Sequence, residues 1–213
     1  MKINLEILES AVIYAPQEIE ALALRTKELV PKMMVRRRLT RAAKIAIYLA
    51  NEVHFQKGRI LYGSSFGELS ATANILNAIA SKESISPTHF QNSVYNTAVS
   101  YLSMLYGNES EIMTISSGDK TSLNLLKSGA IKALDGDEIL LLVTETLNIE
   151  KIDEVNSCID YLEAGVALKV RVSQEQGRAS WQNKGLRGLP KSLKDMFAVA
   201  QFEGEKNIIE VEL

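Results

Sequence analysis

The sequence is poor in the side chains from which most metal and redox sites are built. Its 213 residues include one cysteine, Cys158, and two histidines, His54 and His89. A single cysteine excludes an internal disulfide, and neither histidine has a metal-binding residue at ligand spacing. The segment Gly118-Asp119-Lys120-Thr121 lacks the earlier glycine of a phosphate-binding loop. We therefore predict no metal and no cofactor, and we expect Cys158 to be a small buried residue.

An excess of positive charge and long apolar runs are also lacking. The 24 Lys and Arg against 26 Asp and Glu give a formal net charge of -2, which provides none of the field that attracts nucleic acids or anionic membranes. No apolar run approaches the roughly 20 residues that span a bilayer. Lys2, Glu6 and Glu9 interrupt the N-terminal apolar residues, unlike a signal peptide. We therefore expect a cytoplasmic protein with no membrane span and no nucleic-acid partner.

What the sequence has is an alternation of helical and extended patterns. With 46% hydrophobic residues, the chain can bury one sizeable core, so we expect residues 1–213 to form a single domain. Helices are predicted at 37–53, 68–79, 91–106 and 192–201 and around Leu123 to Ala133, and strands at 59–62, 111–115, 138–144, 166–172 and 207–213. The run 139–143 predicts a strand covered on both faces, and alternation in 166–172 a half-buried one. The strand-helix-strand order predicts an α/β fold with a largely parallel sheet.

The sharpest local motif is Gly63-Ser64-Ser65-Phe66-Gly67, which fits the G-x-S-x-G pattern between a strand and a helix. In a serine hydrolase this pattern would make Ser65 the nucleophile. That chemistry needs an acid and then a histidine late in the chain, and neither histidine is so placed. The alternative is a glycine-rich turn whose small residues let two backbones approach.

A basic run, Arg36-Arg37-Arg38 with Arg41, precedes or opens the first long predicted helix. Such a run is either a solvated helix face or a contact for an acidic partner. The sequence leaves both interpretations open, including contact with a carrier protein.

Four segments occur in a fixed order: Gly63-Ser-Ser-Phe-Gly-Glu-Leu, Ser86-Pro-Thr-His-Phe-Gln-Asn-Ser-Val-Tyr-Asn-Thr-Ala, Leu105-Tyr-Gly, and the strand, turn and helix from Ile112 to Leu126. Together they resemble the N-terminal half of β-ketoacyl-acyl-carrier-protein synthases. The resemblance covers about residues 36–144. It implies a thiolase-like half, with three α/β/α layers and a mostly parallel mixed sheet.

The resemblance also shows where the sequence departs from an active synthase. Counted without gaps from Tyr106-Gly107, the position of the family's nucleophilic cysteine falls on Asp119, or on Gly118 if the turn differs by one residue. Neither residue can attack a thioester as a thiolate does. We expect Asp119 to be an N-cap that accepts hydrogen bonds from amides of the next turn. The alternative is a carboxylate that acts on a partner's active site.

The remaining catalytic groups of the family, two histidines and a lysine, belong to its second half. No histidine follows His89 in this sequence. Condensation requires a nucleophile, a decarboxylation site and an oxyanion hole together. We therefore expect no catalytic residue and no condensing activity from this chain.

The role implied by the resemblance is that of a half-length chain-length factor, of the type found in aryl-polyene and related pigment biosynthesis. Such a subunit pairs with a full-length ketosynthase and shapes its acyl tunnel. The resemblance places Phe66 at the tunnel gate, although it could instead be an ordinary core residue. The expected partner interface contains these residues: Ser93, Val94, Asn96, Ile112, Thr114 and Ser116. An acyl carrier protein is a further candidate partner, and a homodimeric thiolase-like scaffold is an alternative function.

Overall fold

The computed structural model describes residues 1–149, 159–177, 186–202 and 207–213. Cys158 lies outside these ranges, so its burial stays a prediction. The strands are β1 (Lys2–Ala15), β2 (Arg59–Gly63), β3 (Ile112–Ile115), β4 (Ile139–Thr146), β5 (Glu163–Val172) and β6 (Ile208–Glu212). The helices are α1 (Thr26–Leu29), α2 (Met33–Arg36), α3 (Arg41–Glu52), α4 (Leu69–Ala80), α5 (Pro87–Asn92), α6 (Thr97–Tyr106), α7 (Thr121–Ala133) and α8 (Lys194–Ala200). Short 3₁₀ turns at Gly118–Lys120 and Lys191–Leu193 precede α7 and α8.

The strands form one mixed sheet in the order β3-β2-β4-β5-β1-β6. The predicted α/β class and mixed sheet are confirmed, but the prediction that parallel pairs predominate is wrong. Two pairs, β2–β3 and β2–β4, are parallel, and three pairs, β4–β5, β1–β5 and β1–β6, are antiparallel. The difference arises mainly from β1, which no predicted strand included and which lies between β5 and β6.

Helices cover both faces of the sheet, which gives the three predicted layers. On one face α7 and α8 pack against the sheet, and on the other face α3 and α6 do so. All eight residues of β4 are buried, as its apolar run predicts. Leu141 and Val143 belong to one core, and Leu140 and Leu142 belong to the other. This alternation is what a central strand covered on both faces requires.

One glycine sets how closely a helix approaches β4. A Cβ at Gly129 of α7 would lie 2.6 Å from Leu141 Cδ2, closer than any van der Waals contact allows. The glycine therefore lets α7 pack directly on the central strand.

Two further predictions are wrong, one on the extent of a helix and one on the burial of a strand. The helix predicted at 91–106 is interrupted, because α5 ends at Asn92 and α6 begins at Thr97. The strand predicted to be half-buried is β5, whose first six residues are all buried. Its side chains are covered because α8 packs on one face of β5 and α3 packs on the other.

We predict that Leu141→Ala lowers the free energy of unfolding by about 2–5 kcal/mol, because it opens a cavity under α7 in a fully buried layer. Urea denaturation of the purified chain measures this change. The matched control is Leu22→Ala, since Leu22 is 84% exposed, and it should change stability by less than about 0.5 kcal/mol. Equal effects of the two substitutions would contradict the assigned core.

Candidate functional site

The candidate site is built around the turn that follows β2, which contains Ser64, Ser65, Phe66 and Gly67. Ser64 Oγ accepts a hydrogen bond from the Gly67 amide at 2.8 Å, so the turn closes on itself. Gly67 has a φ of +60°, and a Cβ there would lie 3.2 Å from the Tyr95 ring. The backbone conformation therefore favours glycine at this position, and a larger residue would also press on the Tyr95 ring.

The turn is held from below by Glu145 at the end of β4, whose side chain is completely buried. Its carboxylate accepts hydrogen bonds from the amides of Ser65 at 2.6 Å and Phe66 at 3.3 Å. It also accepts hydrogen bonds from the hydroxyls of Ser64 at 2.9 Å and Ser192 at 2.6 Å. Burial raises the pKa of Glu145, while these four donors favour the ionised form.

Sequence analysis missed Glu145. The signal that could have found it is a carboxylate two residues after the apolar run 139–143 of a buried strand. Such a group must be hydrogen-bonded inside the protein, and partners from other segments are then expected.

Phe66 has a fixed backbone but is not part of either core. Its side chain is half-buried, and it belongs to neither hydrophobic cluster of the described residues. The alternative in which Phe66 is an ordinary core residue therefore finds no support. Its assignment to a tunnel gate stays a prediction.

Ser65 lacks the surroundings of an activated nucleophile. Its amide donates to Glu145, and its carbonyl accepts from the Tyr95 hydroxyl at 3.3 Å. Across the described ranges its hydroxyl has no hydrogen-bond partner, and its backbone does not adopt the positive φ of a strained elbow. His54 is 77% exposed and lies 3.6 Å from Glu9. This arrangement gives no support to a serine hydrolase.

The predicted nucleophile position lies in the 3₁₀ turn before α7. Asp119 is exposed, and its carboxylate lies 3.4 Å from Lys191 Nζ. The prediction that Asp119 caps α7 is wrong, because α7 begins at Thr121 and the residue before it, Lys120, makes no side-chain cap. Thr121 Oγ1 instead accepts from the Ser117 amide at 3.0 Å and donates to the Gly118 carbonyl at 2.7 Å.

A polar pocket of about 240 Å³ lies beside the start of α4, with Glu68, Thr40 and His89 in its lining. Thr40 Oγ1 donates to Glu68 at 2.6 Å and also accepts from the Ala43 amide, so it caps α3. Burial raises the pKa of Glu68 to about 7, although the Thr40 hydrogen bond opposes the shift. Glu68 thus titrates in the neutral range.

The basic run does not form one surface. Arg41 is half-buried and forms an ion pair with the buried Glu163, and it also donates to the carbonyl of Ile19. Arg36 donates to the carbonyl of Val30 at 2.8 Å. Arg37 and Arg38 are exposed. Arg41 therefore serves the fold, and Arg37 and Arg38 are the residues of this run that face solvent, so contact with an acidic partner stays a prediction.

The residues predicted to contact a partner lie on or just after one edge strand of the sheet and in the turn between α5 and α6. Strand β3 is the edge strand, and Ile112 and Thr114 are partly exposed on it. Val94 and Asn96 are exposed in the turn between α5 and α6, while Ser93 is partly covered and donates to the Phe90 carbonyl.

Helix α4 exposes apolar residues to solvent. None of its 12 residues is buried, and α4 packs against α5. The exposed apolar side chains of α4, α5 and their connections are defined here as the α4–α5 surface: Leu76, Ile79, Ile85, Phe90 and Val94, each at least 42% exposed. Contiguous exposed apolar surfaces mark interaction sites in proteins.

Comparison with known proteins identifies the family. A family model for the β-ketoacyl synthase N-terminal domain matches residues 13–204. The chain therefore belongs to the β-ketoacyl synthase N-terminal domain family, and the resemblance given by its motifs is confirmed. No curated protein sequence is a significant match.

Solved structures with this fold include ketosynthase complexes. A chain in the structure of the ketosynthase ApeO with its chain length factor ApeC from Xenorhabdus doucetiae is 22% identical, with a TM-score of 0.71 over 94% of this chain and 93% of that one. The ishigamide ketosynthase/chain length factor is 11% identical, with a TM-score of 0.61 over 83% of this chain and 64% of that one. The AntDE:AntF complex of a type II acyl-carrier protein with its ketosynthase is 14% identical, with a TM-score of 0.61 over 82% and 64%. At these identities the likeness shows the fold.

The described ranges contain neither a candidate membrane span nor a candidate metal cluster. No helix there is both long and apolar enough to cross a membrane. In the same residues no group of three or more His, Cys, Asp and Glu side chains could hold a metal ion.

We predict that Glu68 makes the stability of the protein depend on pH. Its pKa of about 7 in the folded protein lies above its ordinary value of 4.5, so the folded state retains a proton that the unfolded chain has released between these values. The free energy of unfolding should therefore fall as pH rises from 4.5 to 7, by about 3 kcal/mol. Urea denaturation at pH 5 and pH 7.5 measures the fall.

Glu68→Gln keeps an acceptor for Thr40 and removes the titration, so it should reduce the pH dependence. Glu83→Gln is the matched control, because Glu83 is exposed in the segment that follows α4. A pH dependence that survives Glu68→Gln would assign the effect to another group.

Proposed function

We propose that this protein is a non-catalytic, chain-length-factor-like subunit that pairs with an active ketosynthase and shapes its acyl tunnel. The observations that carry the proposal are the open edge of β3 and the exposed apolar α4–α5 surface. We propose a cytoplasmic setting from the sequence alone, and an aryl-polyene type of pathway from the family resemblance alone.

The open edge presents unpaired backbone groups to a second strand. The carbonyls of Glu111 and Ile115 accept hydrogen bonds from the amides of Ile60 and Ser64 on the β2 side. Since backbone groups alternate in direction along a strand, the amides and carbonyls of Ile112 and Thr114 face away from the sheet. An edge strand of this kind pairs readily with another chain. Pairing with the corresponding strand of a synthase would continue the sheet across the interface.

The α4–α5 surface supplies the apolar area that such an interface needs. Leu76 and Phe90 are 59% and 68% exposed, and each would lose this exposed area in a complex. Stable interfaces bury about 800 Å² on each partner, with an apolar centre. An edge strand alone could not provide this area. We therefore propose that the β3 edge and the α4–α5 surface both take part in the interface. Val94 and Asn96 would lie within it.

The residues at the predicted nucleophile position support the proposal that the protein has no condensing activity. A ketosynthase cysteine is activated at a helix N-terminus, where amides favour the thiolate. Asp119 is instead exposed and paired with Lys191, and a carboxylate cannot form the thioester intermediate. Gly118, the neighbouring candidate, has no side chain. Both residues therefore favour a subunit that acts through its partner.

Phe66 is the residue proposed to limit the growing acyl chain. Its backbone is fixed by Glu145, while its ring lies outside both cores of the described protein. A large side chain on a rigid turn can block a channel without strain in the core. This placement supports the gate assigned by the resemblance.

We predict that Thr114→Pro prevents pairing with the ketosynthase. Proline removes an amide that faces the open edge and not β2, so the fold should survive while the new strand pair loses a hydrogen bond. Co-expression and co-purification with the synthase, followed by mass measurement of the complex, test this.

Thr114→Val is the matched control, because it keeps the amide and should leave pairing intact. A chain that stays monomeric beside every full-length ketosynthase would contradict the proposal. A homodimer that ignores the synthase would favour the scaffold alternative.

We predict that Phe66→Ala lengthens the product of the complex and that Phe66→Trp shortens it, because the gate volume changes in opposite directions. Mass spectrometry of the products released by the reconstituted synthase measures the distribution. Co-purification of each variant shows that pairing is retained. Identical products from both variants would remove Phe66 from the gate.

A further inference from the structure

Residues 191–195 comprise the 3₁₀ turn before α8 and the first residues of α8. This segment contacts the turn before α7, where the predicted nucleophile position lies, and it reaches the Phe66 turn through Glu145. Lys191 forms the ion pair with Asp119 at 3.4 Å. Asp195 exchanges two hydrogen bonds with Ser122 of α7, one from its amide and one to its carboxylate, each 3.1 Å long. Ser192 donates to Glu145 at 2.6 Å. The segment therefore contacts both the turn before α7 and, through Glu145, the Phe66 turn.

The hydrogen bond from Ser192 to Glu145 connects this segment to the backbone of Phe66. Ser192 and the Ser65 amide both donate to Oε1 of Glu145, while Ser64 and the Phe66 amide donate to Oε2. The position of the Glu145 carboxylate is thus set by both segments together. Ser192 and Glu145 are 2% and 0% exposed, so water does not replace a lost partner at little cost.

We propose that Ser192 and Glu145 are positioning residues for Phe66, through which the C-terminal segment fixes the gate. This inference rests on the proposed function where it concerns product length. Its structural part, that Ser192 holds the Phe66 turn through Glu145, stands on the hydrogen bonds alone.

Removal of the Ser192 hydroxyl leaves Oε1 of a buried carboxylate with the Ser65 amide as its one donor. A buried carboxylate tolerates a missing partner poorly, so it must rotate, admit water or take up a proton. Each response weakens its hold on the two turn amides. The gate would then sample more positions than it does in the native protein.

The experiment compares Ser192→Ala with Ser122→Ala. Both serines are buried and both hold the segment 191–195, but Ser122 bonds to Asp195 and not to Glu145. Hydrogen exchange of the Ser65 and Phe66 amides, followed by NMR on the purified chain, is the first readout. Ser192→Ala should speed exchange at these two amides by about threefold to tenfold, the effect of losing one hydrogen bond. Ser122→Ala should leave their exchange unchanged.

Ser192→Thr keeps the hydroxyl and should restore slow exchange, which separates the hydrogen bond from a general loss of stability. Unchanged exchange in Ser192→Ala would overturn the inference. Equal acceleration in Ser192→Ala and Ser122→Ala would also overturn it, because it would report loosening of the segment as a whole.

The second readout is product length in the reconstituted complex. Ser192→Ala should broaden the product distribution towards that of Phe66→Ala, whereas Ser122→Ala should not. If Phe66→Ala leaves the products unchanged while exchange still responds to Ser192→Ala, the gate fails and the positioning role stands. If Phe66→Ala changes the products but Ser192→Ala changes neither readout, the gate stands and the positioning role fails.

Discussion

A carboxylate with no access to water must obtain its hydrogen bonds from the protein, and Glu145 imposes this constraint on the centre of the fold. Its four donors come from the turn after β2 and from the 3₁₀ turn before α8, while the carboxylate itself ends β4. An unsatisfied charge at this depth would cost several kcal/mol. The three segments must therefore be assembled together. The conformation of the Gly-Ser-Ser-Phe-Gly turn is consequently a property of the whole sheet, although its five residues look like a local motif.

Two helices of equal length show how unevenly the protein is covered. Helices α3 and α4 each have 12 residues and an apolar character, yet α3 has seven buried residues and α4 has none. Helix α3 lies across the sheet on β4 and β5, whereas α4 follows a turn that carries it away from the core. Helix α3 thus belongs to the packed core, whereas the apolar residues of α4 face solvent.

Much of the fold could be predicted from residue patterns, and the exceptions have physical causes. The all-apolar run of β4 and the glycine-ended β2 indicate their structure directly, because a strand buried on both faces has few alternatives. Strand β1 was not predicted, because Lys2 and Glu6 interrupt its apolar residues. In the structure these charges pair with Glu210 and Arg171 on the neighbouring strands. Such cross-strand ion pairs depend on partners more than 160 residues away, which no local pattern contains.

The candidate site was predictable in its position and not in its interior. The motifs singled out the Phe66 turn and the turn before α7, because spacing along the chain is a property of the sequence. They did not reveal Glu145 or Ser192, because a network of this kind is defined by distances between segments far apart in sequence. The cap predicted at Asp119 failed for a related reason, since the 3₁₀ turn moves the helix start to Thr121.

The uncovered helix α4 also bears on how much of this protein a cell could maintain. Binding that occurs in the folded state raises stability by mass action, in proportion to the logarithm of partner concentration. A chain that completes the cover of its apolar residues on a synthase would persist while that synthase is abundant. Molecules made in excess over the synthase would keep these apolar residues exposed, and they would remain prone to aggregation and proteolysis. The exposed face of α4 would then act as a regulator of stoichiometry, which matches the amount of the silent subunit to the amount of its active partner.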